Sequence, residues 1–129
     1  MTITLKEQQD YDTWYDSKDG EYQLFIDTIS ERTHYITEEN EFDEFIEELA
    51  NYGINDVSDF NDRFNQEVEG YGERVFVEFS EELVESCGYN IEPEFIRNCI
   101  DWQLVWYSEL RHDYQAIEFK GNTYFFHNN

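Results

Sequence analysis

Thirty-one Asp and Glu against eight Lys and Arg leave this 129-residue chain with a formal net charge of −23. Any compact fold must carry that charge on its surface against self-repulsion, and solubility alone requires far less of it. Disorder is the first alternative, because a highly charged chain with few apolar residues cannot bury enough surface to fold. Here Ile, Val, Leu and Phe make up 33 of 129 residues, and Tyr and Trp bring the aromatic count to 24. That aliphatic and Phe share exceeds the roughly one-fifth level that marks disordered chains, and aromatic rings bury large areas in a small core. The chain is therefore expected to fold, as one domain or as two small, tightly joined lobes, since it has no Ser/Gly-rich linker and no low-complexity tract.

Cys87 and Cys99 are too few for a disulfide scaffold, and the stretch Met1-Thr2-Ile3-Thr4-Leu5-Lys6-Glu7 lacks the apolar core of a signal peptide. No apolar run approaches the roughly 20 residues that span a bilayer, and anionic headgroups repel so acidic a surface. A cytoplasmic protein with no membrane partner is the expectation.

Along the chain, the first 20 residues carry no clear pattern, and Glu21 to Asp27 (EYQLFID), bounded by Gly20, reads as a strand. After Asn40 as a cap, Phe42, Phe45, Ile46, Leu49 and Tyr52 recur at helical spacing, with Gly53 where a helix C-terminus favours it. Val57, Phe60, Phe64 and Val68 continue as a second helix, capped by Asp56 and closed before Gly70 and Gly72. Val75, Phe76, Phe79 and Leu83 predict a third helix ending near Gly88, although Val75-Phe76-Val77 alone reads equally as strand. Pro93 fits the first turn of a short helix through Ile96, and Asp101 caps a helix bearing Trp102, Val105, Trp106 and Leu110. Ile117 and Phe119, the turn Lys120-Gly121-Asn122, and Tyr124 and Phe126 predict a C-terminal β-hairpin. The class is α+β, a small helical bundle with short strands and an acidic, elongated surface. Residues 1–40 form a short N-terminal region with the strand 21–27, and residues 41–129 a compact acidic domain.

The carboxylates fall in rows. Glu78, Glu81, Glu82 and Glu85 lie at i, i+3, i+4 and i+7, on the face away from Phe76, Phe79 and Leu83. Glu41, Asp43, Glu44, Glu47 and Glu48 crowd the polar side of the first helix, with no Lys or Arg between Glu38 and Tyr52, and Asp56, Asp59 and Asp62 continue the acidity as far as Arg63. A solvated helix face ordinarily alternates its charges, because like pairs at i, i+4 cost a few tenths of a kcal/mol. Helical neighbours sit about 5–6 Å apart, and a DNA strand carries one phosphate per roughly 3.4 Å of axis. Such rows can stand in for a phosphate backbone, with a groove lined by Lys and Arg as their counterpart. The plainer alternative is a surface that is only solvated or salt-adapted.

Phe79-Ser80-Glu81-Glu82-Leu83-Val84-Glu85-Ser86-Cys87-Gly88, Pro93-Glu94-Phe95-Ile96, Ile100-Asp101-Trp102, Glu109-Leu110, Asp113-Tyr114 and Tyr124-Phe125-Phe126 together resemble the C-terminal half of the ArdA-type antirestriction proteins. Asp59-Phe60 to Phe64, followed by Gly70-Tyr71, is similar to that family's middle region, so the resemblance covers residues 42–126. It implies a phage- or plasmid-borne DNA mimic in a bacterial cytoplasm, commonly dimeric, that occupies the DNA-binding groove of a type I restriction-modification enzyme. No catalysis and no cofactor are implied. A CRISPR effector or a nucleoid protein is the alternative target.

Carboxylates also serve catalysis, and paired Asp and Glu hydrolyse glycosides where an apolar cleft splits their pKa values. Any two of 31 acids could be nominated, so the rival hydrolase rests on no particular pair. The loop ending Asp19-Gly20 places Tyr15 and Ile26 where an EF-hand needs acids. Cys87, Cys99, His112 and His127 match no zinc spacing, and no phosphate-binding Gly loop or G-x-S-x-G elbow occurs. The charge opposes direct nucleic-acid binding, which draws its affinity from Lys and Arg. Trp102, Val105 and Trp106 suit the core of the domain or, alternatively, a homodimer contact.

Overall fold

Alternation of apolar and acidic residues at helical spacing makes Glu39–Asn51 (α3) the plainest element of the chain. Phe42, Phe45 and Leu49 are buried along one side. Glu41 fixes its start by accepting the Glu38 backbone N–H at 3.0 Å. Its end is a Schellman closure, in which Ile54 N–H donates to the Leu49 carbonyl and Gly53 N–H to that of Ala50. Gly53 takes φ +81 there, the left-handed conformation that a Cβ disfavours.

The structure, a computed structural model, describes residues 5–87 and 94–128. The elements before α3 are Leu5–Asp16 (α1) and Gly20–Arg32 (α2), and Val57–Arg63 (α4) follows it. Then come Phe64–Glu69 (β1), Glu73–Ser86 (α5), Glu94–Asn98 (α6), Trp102–Ser108 (α7), a 3-10 turn at Leu110–His112, Tyr114–Phe119 (β2) and Asn122–His127 (β3). The architecture is α+β, as its periodicities predict. Gly88 and Pro93, expected to end one helix and open the next, lie outside the described residues.

The chain packs as two units, Met1–Asp62 and Arg63–Asn129. The expected boundary at residue 40 falls inside the first unit, because α1 and α2 pack against α3 and α4. Trp14 stacks on Phe42 with ring centroids 5.9 Å apart, and Phe25 meets Phe60 at 6.0 Å. Phe25, Ile26, Ile29, Phe42, Phe45, Leu49, Ile54 and Phe60 are all buried in this unit.

Residues 21–27 are not a strand. Tyr22, Phe25, Ile26 and Ile29 recur at i, i+3, i+4 and i+7, and Asp19 caps the helix by accepting the Tyr22 N–H at 2.8 Å. Leu24, off that stripe, is exposed.

The predicted second helix also ends early. Arg63 is its last residue, and Phe64 to Glu69, assigned to that helix by the spacing of Phe64 and Val68, are extended. The cause lies in β3, whose residues Thr123, Tyr124, Phe125 and Phe126 are all buried although successive side chains point to opposite faces. A strand so covered needs backbone partners on both edges. The sheet order is accordingly β1-β3-β2, antiparallel throughout, with Phe64 opposite Phe126 and Ile117 opposite Tyr124. The hairpin between β2 and β3 turns at Lys120 and Gly121, both at positive φ (+49 and +86).

In the second unit α5 and α7 pack together, and Val75, Phe79, Trp106 and Phe125 form the centre of its core. Phe79 stacks on Phe125 at 3.9 Å between centroids and Phe76 on Trp106 at 4.7 Å. Trp102 and Trp106 are both buried in the chain, so neither ring is offered to a second copy as the dimer-contact alternative required. Asp101 caps their helix, as predicted, by accepting the Leu104 N–H at 3.1 Å. Among the described residues no helix is long and apolar enough to cross a membrane.

Candidate functional site

Each amphipathic helix that turns an apolar stripe inward must turn its carboxylates outward. In the first unit α3 shows this most fully, carrying six acids and no base. Glu44 and Glu47 are exposed and Glu48 half-buried. Glu41 serves the start of its own helix instead. Asp62 on α4 is exposed, as is Asp56 just before the helix, but Asp56 and Asp59 are engaged locally: Asp59 N–H donates to Asp56 at 2.8 Å, and Asn55 N–H donates to Asp59 at 3.1 Å.

Asp43 has a different role from the row in which its spacing placed it. It accepts hydrogen bonds from Trp14 Nε1 at 2.9 Å and from the Tyr22 hydroxyl, and Lys18 Nζ stands 3.5 Å away. One carboxylate thus ties α1 and α2 to α3. Burial pushes the Asp43 pKa up, but the bonds from Tyr22 and Trp14 and the Lys18 charge outweigh it and hold the group below its ordinary 3.8. The Tyr22 phenol is pushed up by burial, by its bond to Asp43 and by the charges of Asp43 and Glu47.

A carboxyl whose folded pKa lies below its unfolded value contributes stability above the unfolded value, near pH 4, and loses it as pH falls through the folded one. Asp43→Asn is expected to cost about 2 kcal/mol at neutral pH, the bonds being discounted because the group is partly exposed. Thermal unfolding of both proteins at descending pH checks this. The gap should close below about pH 4, and a gap constant with pH would exclude the ionised carboxylate as its source.

The α5 row lies in the second unit. Glu82 and Glu85 are exposed, and Glu78 and Glu81 half-buried. Glu78 pairs with Arg74 at 2.8 Å, one turn before it, and Glu82 accepts from Gln66 at 3.5 Å. The Arg74 pairing is an i, i+4 relation that the sequence already contains. Arg63, which interrupts the acidity after Asp62, is itself buried and donates to the His127 carbonyl at 2.8 Å.

Further acids come from α1, which the sequence pattern left unread, and from α2, which it read in part as a strand. Asp10, Asp12 and Asp16 on α1, and Glu21, Asp27 and Glu31 on α2, are all exposed. Asp12 with Asp16, and Asp27 with Glu31, are again one turn apart. Their signal was the Tyr22, Phe25, Ile26, Ile29 spacing, which makes α2 a helix and so aligns its acids. The first unit holds 18 Asp and Glu against 3 Lys and Arg, a formal charge of −15 out of the chain's −23.

None of the described carboxylates is buried. Among the described residues no group of three or more His, Cys, Asp or Glu could hold a metal ion, and Cys87 and Cys99 are free and exposed. Set against known family models, curated proteins and solved structures, the chain matches none.

Proposed function

We propose that this chain is a DNA-mimic inhibitor, without catalysis of its own, that occupies the basic DNA-binding groove of a type I restriction-modification enzyme. The observation that carries the proposal is the surface placement of the described carboxylates in rows along helices, most densely in the first unit. A hydrolase needs the opposite arrangement, a carboxyl sunk in an apolar pocket to separate its pKa from that of its partner. The type I target rests on the resemblance of residues 42–126 to the ArdA-type proteins.

The mechanism is competition. Exposed acids such as Glu44, Glu47, Glu82 and Glu85 take positions that phosphates occupy, and the Lys and Arg of the groove exchange DNA for carboxylates. The attraction is long-ranged, so association is fast and salt-sensitive. Adding the purified chain to a type I enzyme should abolish both DNA binding and cleavage at low salt, with relief by excess DNA or added salt. Undiminished cleavage would remove the type I enzyme as target. Loss of cleavage with DNA binding intact would remove mimicry as the mechanism.

A further inference from the structure

A groove of about 550 Å³ lies wholly within the first unit, where the start of α2, the middle of α3 and the start of α4 meet. Its size falls in the range of clefts that hold ligands, about 300–1,000 Å³. The floor is apolar, with Phe25, Ile46 and Val57, and Leu24 lines it while remaining 56% exposed. Leu24 is the most exposed large apolar side chain among the described residues of this unit. The rim is acidic. Asp19 and Asp56 are held in place by their capping bonds from Tyr22 N–H and Asp59 N–H, each 2.8 Å, and Glu21 stands beside them in the first turn of α2.

We propose that this groove docks a basic amphipathic segment of a partner protein, with an apolar side chain seated on Leu24 and its Lys or Arg neighbours on Asp19, Glu21 and Asp56. Charge complementarity selects the occupant. Nucleic acids and anionic lipids are repelled by a unit of charge −15, and so is a second copy of that unit. An uncharged apolar ligand leaves the acidic rim unanswered. Rim acids already fixed by caps lose little freedom when they bind, which favours affinity. The site is independent of DNA mimicry, because a phosphate mimic has no use for an exposed Leu on an apolar floor. It adds a salt-resistant component to binding that is otherwise electrostatic.

The test is fluorescence anisotropy on the full chain with two labelled peptides, one of Lys with Leu along one helical face and one with Ser in place of each Leu. The Lys/Leu peptide should bind about tenfold tighter, the effect of burying one or two apolar side chains. Leu24→Ser should remove that preference, and Glu21→Lys should weaken both peptides. Leu104→Ser, at an exposed position in the second unit, should leave the preference intact. Equal affinity for the two peptides would overturn the proposal. So would a preference that survives Leu24→Ser, or one that is lost in Leu104→Ser. None of these outcomes depends on whether the chain inhibits a restriction enzyme.

Discussion

Replacing Glu78, Glu81, Glu82 and Glu85 together by Gln should weaken inhibition roughly a hundredfold while leaving the fold intact. Each exposed ion pair is worth about 0.2–1 kcal/mol, so four lost together approach the 2.7 kcal/mol or so of a hundredfold change. A single substitution should cost no more than about fivefold, because the contacts share the attraction. The fold should tolerate the change for a physical reason. All four acids sit one turn or less from another, and neutralising them relieves repulsion of a few tenths of a kcal/mol per pair. The Arg74–Glu78 pair is lost, at 65% and 43% side-chain exposure, and exposed pairs of this kind contribute about 0.3–0.5 kcal/mol. Inhibition constants and unfolding midpoints measured on the same preparation separate the two effects. Unchanged inhibition would show that the α5 row is not a contact surface. The corresponding change on α3, Glu44, Glu47 and Glu48 to Gln, asks the same question of the first unit.

Phe79→Ala should have the largest effect on stability, about 3–5 kcal/mol. Its ring lies flat on Phe125 at 3.9 Å and meets the edges of Trp106 at 5.8 Å and Tyr114 at 5.2 Å. Deleting it opens a void between α5 and the central strand that rigid aromatic neighbours cannot fill. Stability on this scale is a large fraction of what a domain of this size possesses. Denaturant unfolding followed by tryptophan fluorescence reports it directly, since Trp102 and Trp106 both lie in this unit. A loss below about 1 kcal/mol would mean that the site collapses around the missing ring.

The elements most legible in the sequence are those whose pattern and boundary residues agree. Helix α3 has an unbroken apolar spacing and Gly53 at its closure, and the hairpin has Lys120-Gly121 where two consecutive positive φ angles are needed. Helix α2 was misread because EYQLFID is short, aromatic and bounded by Gly20, as a strand can be, and Ile29, two residues beyond that segment, completes the helical spacing of Tyr22, Phe25 and Ile26. Strand β1 was illegible for another reason. Phe64 and Val68 are four apart, as in a helix, and extension is imposed by the unpaired edge of β3, whose paired residues are 53 or more positions away in the chain (Glu69 opposite Asn122).

The candidate surface divides in the same way. The rows on α3 and α5 follow from periodicity alone, and exposure confirms Glu44, Glu47, Glu82 and Glu85 as outward-facing. Asp43 could not be separated from its neighbours on spacing, because its partners Trp14 and Tyr22 come from helices that had not been recognised, and Lys18 from the loop between them. Local duties of Glu41, Asp56 and Asp59 were partly readable, since Asp56 is where a helix cap belongs. The acids of α1 and α2 were missed with their helices.

The central claim is that carboxylate rows exclude DNA by occupying its groove. Its most direct test is the midpoint for inhibition of a type I enzyme, measured over a series of DNA concentrations at fixed salt. Competition predicts a midpoint that rises in proportion to DNA once DNA exceeds its own dissociation constant. A midpoint independent of DNA concentration would place the chain away from the DNA-binding groove and contradict the account.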